Sequence, residues 1–180
     1  VESKQKTKKN KKNIKSCSDS APGPDGIPYS LIKLTWKHFG PMLIDSWYFA
    51  ESSGRLSQSH ESSYLRLLPK EGKDTRYLKN WRPITLSNCD FKLITKTLSW
   101  RVAKAVDNVI SPNQAAYMKN RQISDNLNIM LYTTEQQIHT EGMIVSLDAE
   151  KAFDSIEHWY IKEVLKKIGL NKFVRVFDMI

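Results

Sequence analysis

The segment Ser146-Leu147-Asp148-Ala149-Glu150-Lys151-Ala152-Phe153-Asp154-Ser155-Ile156 holds the acidic groups best placed for chemistry. Asp148 directly follows Met143 to Leu147, a compact apolar run that reads as a strand. A carboxylate just past a strand end is held rigidly at a sheet edge, where it can bind a hard divalent cation that prefers oxygen ligands. An Asp in that position is also a common turn former or helix cap, and residue type alone favours that plainer role. Asp154 reads as structural: Glu157 follows three positions on, then Trp159 and Ile161, the pattern of an N-cap with a reciprocal Glu.

The second candidate group is cationic. Between Pro69 and Arg82 the chain places Lys70, Lys73, Arg76, Lys79 and Arg82 against Glu71 and Asp74. Arg can fork two hydrogen bonds to phosphate oxygens, and Lys supplies a mobile point charge. From charge alone, a solvated loop whose cations touch nothing is the favoured reading.

Positioning these groups requires a scaffold, and the chain's periodicities predict one. Three prolines and two glycines in Pro22-Gly23-Pro24-Asp25-Gly26-Ile27-Pro28 impose a stiff turn. A helix follows with Leu31, Ile32, Leu34, Trp36 and Phe39; Gly40-Pro41 is expected to end it, and a second helix continues to Gly54. Tyr64 to Leu68 and Pro83 to Ser87 read as two short strands flanking the basic loop. Phe91, Ile94, Leu98, Val102, Ala105 and Val109 recur at helical spacing, which predicts a helix from Phe91 to Ile110 ended by Pro112. Ile123, Leu127, Met130, Leu131, Thr134 and Ile138 predict another helix closed by Gly142, and two more helices follow the Asp148 segment. The expected class is α+β, helix-rich with a small antiparallel sheet.

Composition bounds the function. The 180 residues carry 28 Lys and Arg against 19 Asp and Glu, a net charge of +9 that favours a polyanionic partner. Residues 1–16 hold seven of the lysines and one Glu, so most of the excess sits in a tail, residues 1–19, expected to be disordered. Such a run fits a nucleic-acid arm, a nuclear-import signal or a solvated linker. No apolar stretch approaches the roughly 20 residues of a membrane span, so no membrane partner is expected. Cys17 and Cys89 lack the spacing of a disulfide framework or zinc site, which suits an intracellular protein, nuclear or cytoplasmic. The sequence contains no G-x-S-x-G, G-x-x-x-x-G-K-[ST] or H-E-x-x-H motif, and the four His form no ligand pattern.

Five segments, in order, resemble the reverse transcriptases of non-LTR, LINE-type retrotransposons. They are APGPDGIP at 21–28, LLPKEGKD at 67–74, NWRPITLSNCDFKLITKTLSWRV at 80–102, NQAAYMKNRQISDN at 113–126, and DAEKAFDSI at 148–156, the last resembling the family's first catalytic motif. The resemblance spans about residues 20–180 and implies a partial right-hand polymerase, with fingers over about 20–142 and the start of the palm over about 143–180. It implies that Asp148 and the Ala149 carbonyl bind Mg2+, or Mn2+, and that Phe153 lies beneath the incoming sugar, where it would exclude a ribose hydroxyl. It further implies that Lys70 and Arg82 hold the triphosphate of a dNTP, and that Gln114 and Arg121 belong to the segment contacting template and nucleotide. The implied partners are an RNA template, a DNA primer and dNTPs, and the implied reaction is two-metal phosphoryl transfer to a DNA 3′ end.

Two departures accompany the match. The family pattern Q-S/T-G-F followed by G-R stands here as Gln114-Ala115-Ala116-Tyr117 and Asn120-Arg121, which puts a methyl group where positive φ or close approach is expected. The second catalytic motif, an aromatic followed by Ala-Asp-Asp, is missing: the chain contains no Asp-Asp pair. The sequence therefore reads as a fragment that is inactive alone. The competing reading is a non-catalytic nucleic-acid-binding remnant or domesticated retroelement fragment. Lys92, Lys96, Arg101 and Lys104 put further positive charge on one helix, facing either a nucleic-acid backbone or solvent.

Overall fold

The computed structural model describes residues 14, 17, 19–136 and 142–180. The disorder expected of the tail falls largely outside them, and the Ile138 end of the predicted helix entirely so. In chain order the elements are α1 (Tyr29–Ser53), α2 (Gln58–Glu61), β1 (Ser63–Pro69), a 3-10 turn (Leu78–Asn80), β2 (Trp81–Ser87), α3 (Cys89–Val106), α4 (Ile123–Gln136), α5 (His158–Lys167) and α6 (Asn171–Met179). β1 and β2 form a two-stranded antiparallel sheet. The helix-rich composition with a small antiparallel sheet is as expected. No helix among the described residues is long and apolar enough to cross a membrane.

The chain divides into two compact units, residues 1–99 with 175–180 and residues 100–174. In the first, the core joins Tyr29, Ile32, Trp36 and Leu43 of α1 to Cys89, Leu93 and Ile94 of α3, with Ile14 and Cys17 buried among them. Ile14 is only 2% exposed, so the packed unit takes in a residue of the segment read from sequence as tail.

α1 departs from expectation, because Gly40-Pro41 does not split it: Pro41 lies inside one continuous 25-residue helix. An interior proline loses a hydrogen bond and costs about 3 kcal/mol. Ile32 and Trp36 before it and Leu43 after it bury in the same core, which offsets that loss. Gly40 serves packing here, since a Cβ at this position would meet the Trp36 indole at 2.9 Å. The helix ends at Gly54, whose φ of 71° lets its N–H donate to the Ala50 carbonyl at 2.8 Å. α3 stops at Val106, short of the expected Ile110, and Val109 is therefore 61% exposed in the turn beyond it.

The Pro-Gly turn docks on the junction between β2 and α3. Asn88, 2% exposed, accepts the Asp25 N–H at 3.2 Å and donates Nδ2 to the Ser59 carbonyl and hydroxyl at 2.8 and 2.9 Å. Its polar atoms are thus paired, as burial requires. His60 of α2, 6% exposed, sets Nε2 3.1 Å from the Asp90 carboxylate and stacks on Phe91 with ring centroids 5.4 Å apart. These contacts anchor the base of the hairpin.

The second unit is held differently. Residues 100–174 include no fully buried side chain among those described, and local hydrogen bonds order its turns. Asp154 does not cap α5: Glu157 occupies the N-cap position without a side-chain bond, and the Asp154 N–H donates in a tight turn to the Lys151 carbonyl at 2.9 Å.

Candidate functional site

The basic loop sits at the tip of the hairpin, as the flanking strands predict. Leu68 faces Arg82 and Arg66 faces Ile84 across the ladder. The Lys70 N–H donates to the Asn80 carbonyl at 2.8 Å and extends the pairing one step into the turn. Inside the turn, Arg76 forks onto the Asp74 carboxylate, with Nη2 2.8 Å from Oδ2, and that guanidinium holds the Asp74 carboxyl below the usual carboxylate range. Asn80 Nδ2 donates to the Asp74 carbonyl at 2.7 Å and Trp81 Nε1 to the Thr75 carbonyl at 2.8 Å. The turn is closed on itself by these bonds.

The five cations are therefore not equivalent. Arg76 is neutralised by Asp74, Lys79 lies 5.6 Å from the Tyr77 ring centroid, and Lys70 Nζ donates to the Lys79 carbonyl at 2.9 Å. Arg82 and Lys73 are exposed, and among the described residues their side chains make no hydrogen bond or ion pair. Arg66, which the sequence reading passes over, is exposed and unpaired in the same way. On α3, Lys92 donates to the Ala21 carbonyl at 3.0 Å and Lys96 Nζ lies 3.6 Å from Cys17 Sγ, so both hold the preceding segment.

In the second unit, the expected strand over Met143 to Leu147 does not form. Residues 142–149 have no regular structure, and Met143 and Leu147 are 86% and 90% exposed. A strand exists only by pairing, and among the described residues the one sheet is β1 with β2, with no ladder to this segment. Asp148 and Ala149 are exposed on this extended segment, so Asp148 is not fixed at a sheet edge. Lys151, at φ 51°, opens a turn in which its carbonyl accepts the Asp154 and Ser155 N–H groups at 2.9 and 3.0 Å. That turn presents Phe153, 78% exposed, in an edge contact with Tyr117 at 6.0 Å between centroids.

A divalent cation of this chemistry takes about six oxygen donors. Asp148 and the Ala149 carbonyl supply two, and no cluster of three or more His, Cys, Asp or Glu is gathered among the described residues. The donors present do not by themselves fit a metal centre.

Gln114 is exposed, its Nε2 donating to the Ala116 carbonyl at 3.3 Å. Arg121 has a different occupation from the one expected. Its Nη1 donates to the Ser111 and Gln114 carbonyls, and its Nη2 to the Asp107 and Ile110 carbonyls, while the Asp107 carboxylate lies 3.6 Å away. Several of these carbonyls follow the last turn of α3, where orphan acceptors need donors. The guanidinium staples the loop shut. The left-handed backbone lies at Tyr117 (φ 61°) and Asn120 (φ 62°), so Ala116 escapes the strain expected of it. Asn is among the side chains most tolerant of that region, which accommodates the Asn120 departure.

Residues 68–178 match the family described as reverse transcriptase (RNA-dependent DNA polymerase), and the chain belongs to that family. It is 34% identical over 145 residues to the transposon TX1 uncharacterized 149 kDa protein of Xenopus laevis, a match covering 79% of this chain and 11% of that protein. It is 28% identical over 163 residues to a retrovirus-related Pol polyprotein from the type-1 retrotransposable element R2 of Popillia japonica, covering 88% of this chain and 22% of that one. The corresponding R2 polyprotein of Nasonia vitripennis is 22% identical over 170 residues, or 93% of this chain and 16% of its own length. These relatives are proteins of transposable elements, in keeping with the resemblance to LINE-type sequences, and the chain spans between 11% and 22% of their length.

Proposed function

We propose that the chain is part of a right-hand RNA-directed DNA polymerase, contributing fingers over about 20–142 and the start of the palm over about 143–180, as its motif order implies. The enzyme would add dNMP from dNTP to a DNA 3′ end on an RNA template. The observation that carries this reading is the extent of the family match, which runs from 68 to 178 and takes in both the cationic turn with β2 and Asp148. In this reading Arg82, exposed and unpaired, forks onto triphosphate oxygens beside Lys70, whose tether to the Lys79 carbonyl aims it along the turn. Phe153 packs against the sugar and disfavours a 2′-hydroxyl. Gln114 lies along the template, and Arg121 acts through the loop it closes.

Asp148 and the Ala149 carbonyl would furnish part of the oxygen set for magnesium or manganese, which when bound stabilises charge at phosphorus. These 180 residues alone are proposed to be inactive, with the remaining donors supplied by a longer protein that acts inside the cell. The test is primer extension by such a protein carrying Asp148→Asn. The expected loss is at least about a thousandfold, roughly 4 kcal/mol of transition-state stabilisation, with salt-sensitive RNA binding retained. Unaltered extension would remove Asp148 from the mechanism. RNA binding by the unsubstituted protein without any extension would favour a non-catalytic remnant.

A further inference from the structure

We infer that Cys17 and Lys96 form a redox-modification site, at which a peroxide oxidises the Cys17 thiol and the Lys96 amine captures the product as a sulfur–nitrogen cross-link. The inference goes beyond the polymerase reading and does not depend on it.

A thiol, an amine and a phenol meet where the segment before the Pro-Gly turn packs on α1 and α3. Lys96 Nζ lies 3.6 Å from Cys17 Sγ, and the Tyr29 side chain is hydrogen-bonded to Cys17. The Cys17 backbone is pinned on both sides: its N–H donates to the Ile14 carbonyl at 3.2 Å, and its carbonyl accepts Lys33 Nζ at 2.6 Å. Ile14 and Tyr29 are themselves buried in the α1–α3 core. The thiol is thus held against the amine by packing and hydrogen bonds that neither group supplies alone.

The two cysteines stand in different settings. Reactive cysteines sit beside cations with an edge open to solvent, and inert ones are sealed among apolar groups. Cys17, 6% exposed and in contact with the half-buried Lys96, has the first setting; Cys89, 0% exposed, has the second. Cys89 meets the Tyr29 backbone N–H, at the opposite end of that residue from the hydroxyl, whereas Lys96 already touches Cys17. Lys96 is therefore the group placed to trap an oxidised Cys17.

The chemistry balances in two steps. Hydrogen peroxide converts the thiol to a sulfenic acid: the O–O bond breaks, sulfur takes one oxygen and one water leaves. Lys96, having released a proton to solvent, then attacks sulfur with its nitrogen lone pair. The S–N bond forms, the S–O bond breaks, and hydroxide leaves with a proton from nitrogen as a second water. One thiol, one amine and one peroxide give one sulfenamide and two waters, with sulfur oxidised by two electrons and peroxide reduced by two. The bond joins residues 79 positions apart and fastens the amino-terminal segment to α3.

The test is intact-mass spectrometry and peptide mapping of the 180-residue chain before and after mild hydrogen peroxide. The expected product is lighter by about 2 Da, carries the Cys17 and Lys96 peptides joined, and returns to its original mass with a thiol reductant. A Cys17–Cys89 disulfide would give the same mass change, so Cys89→Ala is the control: the change should persist in it. Lys96→Arg should lose the cross-link and leave a sulfenic acid at Cys17 that dimedone labels, and Cys17→Ser should lose both. The peptide map of the unsubstituted chain identifies the partner even where a variant fails to fold. Joining of Cys17 to Cys89, oxygen addition at Cys17 with no cross-link, or a Cys17 left intact by peroxide that oxidises the same residue in denaturant would each overturn the proposal.

Discussion

Gly23 lies so close to Asn88 that a Cβ on it would fall 2.3 Å from the Asn88 Oδ1 and 2.5 Å from its backbone nitrogen. The Pro-Gly turn is thereby seated on the end of the hairpin, and the backbone of Ser87 and Asn88 as well as the Asn88 side chain blocks any added methyl. Gly23→Ala should destabilise the fold by about 1–3 kcal/mol, the usual cost of forcing atoms into a packed site. Asn88→Ala should cost a similar 1–3 kcal/mol by leaving the Asp25 N–H and Ser59 carbonyl unpaired. Urea unfolding measures both, and a change of under about 0.5 kcal/mol at Gly23 would mean that the turn is not docked.

Arg121→Ala should open the loop between Asp107 and Arg121, since each carbonyl it serves then needs another donor. Charge-assisted hydrogen bonds are worth about 1.5–3 kcal/mol, and Arg121→Lys, with no planar fork, should recover only part. Hydrogen exchange and limited proteolysis across residues 107–121 report the opening. Equal protection in all three proteins would mean that the guanidinium does not hold the loop.

Asp74 should titrate below an ordinary Asp, because Arg76 stabilises its ionised form. A carboxyl with a lowered folded pKa contributes stability above the unfolded value and loses it as pH falls through the folded one. The turn should therefore loosen at acid pH, and Arg76→Ala should move the Asp74 midpoint upward. A carboxyl 13C titration reads both midpoints, and identical values would dissolve the pair.

Burial pushes the Cys89 thiol up, with Asp25 and Asp90 adding to the shift and Lys92 opposing it. Only the thiolate is reactive, and Cys89 is 0% exposed. Alkylation of the native protein should spare Cys89 and proceed once denaturant is added. Rapid labelling under native conditions would show that the α1–α3 core opens without global unfolding.

Local chemistry made much of this fold readable. Turn residues on either side of alternating strands predict the hairpin to within two residues at each end, since the signals are short-range. Pro41 misleads because its effect on α1 depends on Ile32, Trp36 and Leu43 reaching the same distant core, which no local rule contains. Met143 to Leu147 misleads for the converse reason: its composition suits a strand, but a strand also needs a neighbour. Arg121 was legible as a member of the template segment, and its bonds to the end of α3 were not, because they join residues up to 14 positions apart. Arg66 left a signal that the reading passed over, a lone charge in an apolar strand four residues before Lys70 and so on its face. The Asn88 and His60 contacts left none.

The bare stretch from Met143 to Leu147 bears on how the chain behaves in a tube. Five largely apolar residues whose amide and carbonyl groups make no backbone hydrogen bond among the described residues form a template for edge-to-edge stacking, the route by which extended segments aggregate. Concentrated samples of this chain should self-associate through that ribbon, and a charged gatekeeper such as Val145→Lys should keep them in solution.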